Sequence, residues 1–355
     1  MRQTMRPAIA VLMTCALMLA PASAIAQSEA DDRSYDLTVS DDRAEIQMPH
    51  KVDDRAAETG VVFDTREGQL SGSFAFAEAD ASEERLDVLL HQLVEFEDTN
   101  DDDALDDEDE VRSAWRLSNA SRNVTMEAND TVEWRSMETV NVTSDDGVDG
   151  TTVQAVAEFP EQDPVAGVLG ELGQGENRTV TFNVTVFDES AEIDGTQVPA
   201  SHAHVDWTVD NFPYTAEDTQ LALVAGALGT GELQVADGDN TTEIANRAAV
   251  DGYGIGVAAQ IADQATVDDE ASDVNASAVE TDEAAEDAEE GEQVLALSYE
   301  RGDTVEHELV LGASAASTDD GLVDAADDEV SAVPSVGAVA ALGLLATAAL
   351  MTKRR

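Results

Sequence analysis

The strongest signal along the chain is period-two alternation. Thr179–Phe187 reads Thr-Val-Thr-Phe-Asn-Val-Thr-Val-Phe, which places Val180, Phe182, Val184 and Val186 on one face and polar side chains on the other. Ala203, Val205, Trp207 and Val209 repeat the pattern. Residues 85–96, 111–117, 132–142, 152–159, 219–227, 294–299 and 305–311 also have strand character. Asp-Gly pairs at 146–147, 149–150, 194–195 and 251–252, together with Gly302-Asp303, supply turns between such runs. Helical periodicity is weak away from the ends, apart from one short candidate helix at 163–172. Many short strands at close spacing predict an all-β fold, an antiparallel β-sandwich.

Two internal stretches depart from this pattern. Residues 262–293 carry 13 acids, no basic residue and no aromatic. Such a segment buries too little apolar surface to offset its chain entropy, which predicts an acidic disordered insertion. Residues 313–333 are polar and rich in Ala and Asp, as suits a stalk. The predicted organisation is a signal peptide (1–26), a β-sandwich domain (27–261), the insertion (262–293) and a hairpin returning to the same domain (294–312). The stalk (313–333) and a transmembrane or sorting tail (334–355) follow.

The ends carry the long apolar runs. Arg2 and Arg6 precede an apolar stretch from Ala8 to Ala20, and Ala24-Ile25-Ala26 offers small residues for cleavage, the pattern of an export signal. The single cysteine, Cys15, lies within it, so the mature chain has no thiol for catalysis, redox switching or metal binding. Residues 330–352 contain no charge and Lys353-Arg354-Arg355 closes the chain. As a transmembrane helix this stretch spans roughly 35 Å, and its terminal basic cluster belongs in the cytoplasm, which places 27–330 outside. A Pro-containing start, a short apolar helix and terminal Arg residues resemble the PGF-CTERM sorting signals of archaeal surface proteins. That resemblance implies cleavage of the tail and its replacement by a lipid. Pro334-Ser335-Val336-Gly337 stands in place of the Pro-Gly-Phe core.

Composition narrows the setting further. The chain has 355 residues, 76 Asp plus Glu against 18 Lys plus Arg, and a formal charge of -58. Loss of Arg2 and Arg6 with the signal would take -58 to -60. This excess excludes nucleic acid as a partner, because the chain repels phosphate. Charge of this size opposes compaction at ordinary ionic strength, whereas molar salt shortens the Debye length to roughly 3 Å. High Asp, Lys only at 51 and 353, and 4% aromatic residues resemble a haloarchaeal proteome. Eight of the 11 Asn residues stand in Asn-X-Ser/Thr: Asn119, Asn123, Asn129, Asn141, Asn177, Asn183, Asn240 and Asn275. Ser and Thr make up about 14% of the chain, so chance predicts about one or two sequons. The excess, with an export signal, points to N-glycosylation.

Two groups of residues are candidate metal sites. Residues 98–109 present Asp98, Asn100, Asp102, the Ala104 carbonyl, Asp106 and Asp109 at positions 1, 3, 5, 7, 9 and 12 of a twelve-residue loop, the donor spacing that Ca²⁺ takes. Leu105 is the apolar residue that would anchor such a loop. The loop resembles those of EF-hand and dockerin proteins, with Asp103 in place of the turn glycine and Asp109 in place of the bidentate Glu. Strands flank it, so it would join two strands. His202, His204 and Asp206 alternate along one strand face and form a second, weaker candidate, for Zn²⁺. Trp207 stands where the metallo-β-lactamase motif, which the first three positions resemble, has its next His. Arg301-Gly302-Asp303 is expected to form a tight turn. An acidic calcium-like loop after a strand, the 211–214 turn and the Tyr299 hairpin also resemble archaeal secreted proteins of unassigned function.

The function expected from these features is non-enzymatic: a cell-surface glycoprotein of a halophilic archaeon, anchored to the cytoplasmic membrane, with a structural or binding role in the envelope. It would be calcium-stabilised, with envelope glycans or proteins as partners. A surface-tethered hydrolase acting on carbohydrate and a solute-binding lipoprotein are the alternatives. Carboxylates are too abundant to single out a glycosidase pair, and Thr14 precedes Cys15 where a lipid-attachment signal has a small residue.

Overall fold

The structure is a computed structural model. It describes residues 35–52, 55–66, 69–77, 84–100, 102–106, 108–117, 130–160, 178–193, 195–229, 233–237, 241–246, 255–279, 293–315 and 331–332.

The regular structure in these segments is β-strand, distributed between two large sheets. The chain first lays down β1 (Asp36–Val39), β2 (Arg43–Val52), β3 (Arg55–Asp64), β4 (Gln69–Ala77), β5 (Glu84–Glu97), β6 (Glu110–Arg116) and β7 (Asp130–Thr131) in sheet one. It crosses to sheet two for β8 (Glu133–Thr143), β9 (Asp149–Glu158) and β10 (Thr179–Phe187). A separate small hairpin, β11 (Ala191–Ile193) and β12 (Thr196–Val198), precedes β13 (Ala203–Asp210) of sheet two. β14 (Gln220–Gly229) returns to sheet one. Sheet two then gains β15 (Leu233–Asp237), β16 (Thr241–Asn246), β17 (Ile255–Ala262), β18 (Gln264–Val267) and β19 (Glu270–Asp273). β20 (Asn275–Val279) and β21 (Gln293–Tyr299) join sheet one, β22 (Thr304–Ala315) joins sheet two, and β23 (Ser331–Ala332) pairs with β2.

Sheet one runs β1-β2-β3-β4-β5-β14-β21-β20, and sheet two runs β15-β16-β17-β22-β13-β10-β9-β8. Among the described residues every pairing is antiparallel except β6 with β7. The long strand β5 organises sheet one. β14 follows it along one side, while the other side pairs with β4 and then with β6.

The alternation seen in the sequence puts one face of each sheet into a shared core. Val180, Phe182, Val184, Val205, Trp207 and Val209 of sheet two belong to the same buried cluster as Leu93, Leu221, Leu223, Leu297 and Tyr299 of sheet one. An aromatic chain crosses the interior: Trp134–Phe182–Trp207–His307–Tyr299, with successive ring centroids 6.2, 6.4, 4.9 and 5.4 Å apart. The last step links β22 in sheet two to β21 in sheet one. The fold is thus all-β with antiparallel sheets, consistent with the expected sandwich.

Several expectations require correction. Residues 262–293 are not wholly a disordered insertion, because β18, β19 and β20 lie within them. Ala265 and Val267 alternate into the core, and Ala276 packs against it. Two of the acids, Asp268 and Asp269, form the β18–β19 hairpin turn, both at positive φ, 51° and 67°. Residues 280–292 lie outside the described residues. In the expected stalk, residues 313–315 extend β22 and 331–332 form β23. Asp149-Gly150 opens β9 and is no turn; a Cβ at Gly150 would lie 2.6 Å from the Val186 carbonyl. Asp146-Gly147 does mark a turn, with Gly147 at φ 90°, and Gly195 stands in one at φ 87°; Asp194 and residues 251–252 lie outside the described residues. The candidate helix at 163–172, the signal segment 1–26 and the tail 334–355 lie outside the described residues. Among the described residues no helix is long and apolar enough to cross a membrane.

Candidate functional site

Residues 98–109 join β5 to β6 and fold back over the outer face of sheet one. The reason lies in the strands beneath. Val94, Phe96, Ala114, Ala222, Val224, Val294 and Ala296 form a second buried apolar cluster on that face, and Leu105 completes it with no exposed surface. The loop acts as a lid over apolar surface that would otherwise meet water. Polar latches hold it in place. The Leu105 N–H donates to Ser298 Oγ at 2.9 Å, and Ser277 Oγ donates to the Leu105 carbonyl at 2.7 Å. Asn275 Nδ2 donates to the Asp103 carbonyl at 3.1 Å, and Gln220 Nε2 to Asp103 Oδ1 at 3.0 Å. Ser277 and Asn275 come from β20, the strand hidden within the acid-rich stretch.

The interior of the loop is built from carboxylates that accept backbone N–H groups. Asp98 Oδ2 accepts from the Asp103 N–H at 2.8 Å and Asp102 Oδ1 from the Ala104 N–H at 3.0 Å. Asp109 closes the loop, accepting from the Thr99 and Asp106 N–H groups at 2.9 and 3.0 Å. Asp103, at the position of the turn glycine, adopts φ 58°, the left-handed conformation that glycine supplies in calcium loops. Asn100 Nδ2 stands between Asp102 Oδ2 and Asp106 Oδ2, at 3.1 and 3.0 Å. Partial burial, and the Asp106 and Asp98 charges, push the Asp109 carboxyl upward against the pull of its two N–H donors. Asp102 and Asp103 also line a polar pocket of about 350 Å³ with Gln220, Asp273, Asn275 and Glu300.

This arrangement fits a hard divalent cation in its donor types but not yet in its convergence. Among the described residues no three His, Cys, Asp or Glu side chains are disposed to hold a metal ion. The amide of Asn100 separates the two carboxylates that would share the ion. A half-turn of that amide would exchange Nδ2 for Oδ1 and set one oxygen about 3 Å from each of the two carboxylate oxygens, near the oxygen spacing of a Ca²⁺ shell with bonds of roughly 2.3–2.6 Å, at the loss of the Asp102 N–H bond that Oδ1 now accepts.

The second candidate is taken up by other bonds. His202 is buried against Gly312, with Nδ1 3.1 Å from the Ala200 carbonyl, and burial pushes its pKa down. His204 is buried on the outer face of sheet two, with Nε2 2.8 Å from Glu308 Oε2 and Nδ1 3.6 Å from Asp206 Oδ2. Glu308, directly opposite Asp206 in the register, is the partner that the sequence did not announce. The hydrogen bond with His204 holds the Glu308 carboxyl below its ordinary range. Asp206 also accepts from Asn183 Nδ2 at 2.7 Å. Of the expected set, His204 and Asp206 therefore belong to a polar ladder with Asn183 and Glu308 across β10, β13 and β22, while His202, which precedes β13, bonds the Ala200 carbonyl instead.

Sequence reasoning missed a buried acceptor site. Glu95 on β5 is fully buried. Its two oxygens accept from Ser113 Oγ, the Thr215 N–H and Oγ1, the Ala216 N–H and Thr219 Oγ1, at 2.8–2.9 Å. They tie the 215–219 turn to sheet one. Arg301 completes the corner, its guanidinium 4.1 Å from the Tyr214 ring centre and bonded to the Ala216 carbonyl. Arg301-Gly302-Asp303 is therefore not the tight turn of a hairpin, and 294–312 is not the expected hairpin: the stretch carries the chain from β21 in sheet one across to β22 in sheet two, and the two strands do not pair. Parity offered no clear signal, because Val94 and Phe96 on the opposite face of β5 are as apolar as Leu93 and both faces are buried.

Of the eight sequon asparagines, Asn141, Asn183 and Asn275 are among the described residues. Asn119, Asn123, Asn129, Asn177 and Asn240 lie outside them. The chain matches no protein-family profile and no curated protein.

Proposed function

We propose that this chain is a non-enzymatic, exported and N-glycosylated surface protein of a halophilic archaeon. It is held to the cytoplasmic membrane by its C-terminal segment, serves a structural or binding role in the cell envelope, and has a sandwich domain stabilised by calcium in the 98–109 loop. The observation that carries the calcium reading is the pairing of a left-handed Asp103 with a buried Leu105. The first permits the sharp turn and the second fixes the loop on sheet one. Asp98, Asn100, Asp102, Asp106, Asp109 and the Ala104 carbonyl would hold the ion, relieving repulsion among carboxylates gathered on one short connection. Export, glycans and the anchor rest on the terminal segments and the sequon excess.

The test is a calcium titration of the exported protein in molar KCl, followed by heat of binding and thermal midpoint together, beside Asp102→Asn/Asp106→Asn. We expect saturable binding at one site and a midpoint that rises with it, both lost in the double variant. Equal responses from the two proteins would reduce calcium to general charge screening and remove it from the proposal.

A further inference from the structure

We propose that Asn141 carries a glycan whose work is to shield the open edge of sheet two. This inference rests on the N-glycoprotein reading above and adds which site is used and why. Attachment forms a bond from Asn Nδ2 to a sugar C1 and breaks the C1–O bond of a lipid-phosphate-activated oligosaccharide. One amide proton leaves with the phosphate. The amide must therefore be accessible and not committed elsewhere.

Two of the described sequon amides are committed. Asn183 lies on β10 between β9 and β13, where Nδ2 donates to Asp206 at 2.7 Å and Oδ1 accepts from Gln154 at 3.0 Å. Asn275 Nδ2 latches the 98–109 loop through the Asp103 carbonyl. Asn141 is exposed, and its side chain makes no hydrogen bond among the described residues.

Its position gives the glycan a purpose. β8 is 11 residues long and, among the described residues, pairs only with β9. Its first part is protected against edge pairing by a bulge between Trp134 and Ser136 and by Arg135 with Glu133 and Glu158. Its last part, Thr139-Val140-Asn141-Val142-Thr143, has no charge, and Val140 is 46% exposed. A five-residue uncharged edge with an exposed β-branched residue invites a second strand. Charge is a poor guard in molar salt, where it is screened within roughly 3 Å. A hydrated, bulky glycan blocks approach at any salt concentration.

The test uses the exported protein from a glycosylating halophilic host. Mass spectrometry of its glycopeptides is combined with light scattering in molar KCl of the wild type, Asn141→Gln and Asn141→Gln/Val140→Ser, the last of which removes the exposed apolar side chain without relying on charge. We expect modification at Asn141, none at Asn183 or Asn275, at least a doubling of mean mass in Asn141→Gln, and return to the wild-type mass in the double variant. Unmodified Asn141 beside occupied sequons elsewhere would overturn the proposal, as would an Asn141→Gln protein of unchanged mass. Absence of glycan from all eight sequons would instead overturn the glycoprotein reading, and this inference with it.

Discussion

His91 and His307 show what burial does to single residues here. Both are lowered to about 4, each chiefly by desolvation. His307 sits between the sheets, with Nε2 2.7 Å from the Ala262 carbonyl and Nδ1 3.0 Å from Tyr299 Oη. The tautomer consistent with both contacts donates from Nε2 and accepts the phenol proton at Nδ1. The unfolded chain charges these histidines below about pH 6.5, whereas the folded one stays neutral to about 4. Between those values the unfolded state binds more protons, so stability is complete above the window and falls as pH drops through it. Each residue contributes on the order of 3 kcal/mol by the acid end. Chemical denaturation from pH 7 to 5 in molar KCl should show a falling midpoint, and His307→Gln should flatten part of that slope. An unchanged midpoint over this range would mean that the histidines titrate normally. Glu308 acts in a lower window: its depressed carboxyl contributes above about pH 4.5 and is lost as pH falls through its folded value.

At the scale of elements, the 98–109 connection makes sense only with the strands it covers. A twelve-residue acidic loop suggests a solvated tip, yet Leu105 belongs to a buried cluster drawn from β5, β6, β14 and β21. Leu105→Ala would leave a cavity on the outer face of sheet one and weaken the seat of the loop. The expected cost is about 3 kcal/mol, within the range for fully buried leucines, measured by denaturant unfolding at fixed molar KCl. A loss below about 1 kcal/mol would show that the lid contributes little packing. The same elements show what was legible. β10 matches its predicted limits, and β13, β21 and β6 are close to theirs; in β10 and β13 large apolar residues alternate with polar ones, whereas β21 is a short, nearly continuous apolar run buried on both faces. β18 and β20 were obscured because their inward positions are filled by Ala and Val amid many acids, so composition outweighed period. In β2 the alternation of Ala44, Ile46 and Met48 was equally present, but the run carries Pro49, His50 and Lys51 and no Asp-Gly pair beside it.

For the whole molecule, charge sets the conditions under which the packing holds. With a formal charge of -58, self-repulsion opposes folding unless it is screened. The ion pairs involving Arg43, Arg66, Arg112 and Arg135 lie at the surface, where each contributes little. Lowering KCl from molar to about 0.1 M lengthens the Debye distance from roughly 3 to 10 Å and brings many carboxylates back into mutual range. The thermal midpoint should fall steeply over that change, with sucrose at matched water activity unable to restore it. A midpoint independent of salt would refute the halophilic reading, while leaving the fold unaffected.

What the sequence determined by itself is the all-β character, the turns at Gly147 and Gly195, the density of sequons and the acidic charge. These depend on local backbone preference, side-chain period and total charge, all of which are readable one segment at a time. Tertiary structure alone decided the partners: Glu308 beside His204, Ser298 and Ser277 on the loop of Leu105, and the turn at 215–219 around Glu95. Among the three described sequon asparagines it also decided that Asn183 and Asn275 are bonded and Asn141 is exposed. Those pairings join residues up to 193 positions apart. They follow from sheet order and register, which no period or composition of a single segment encodes.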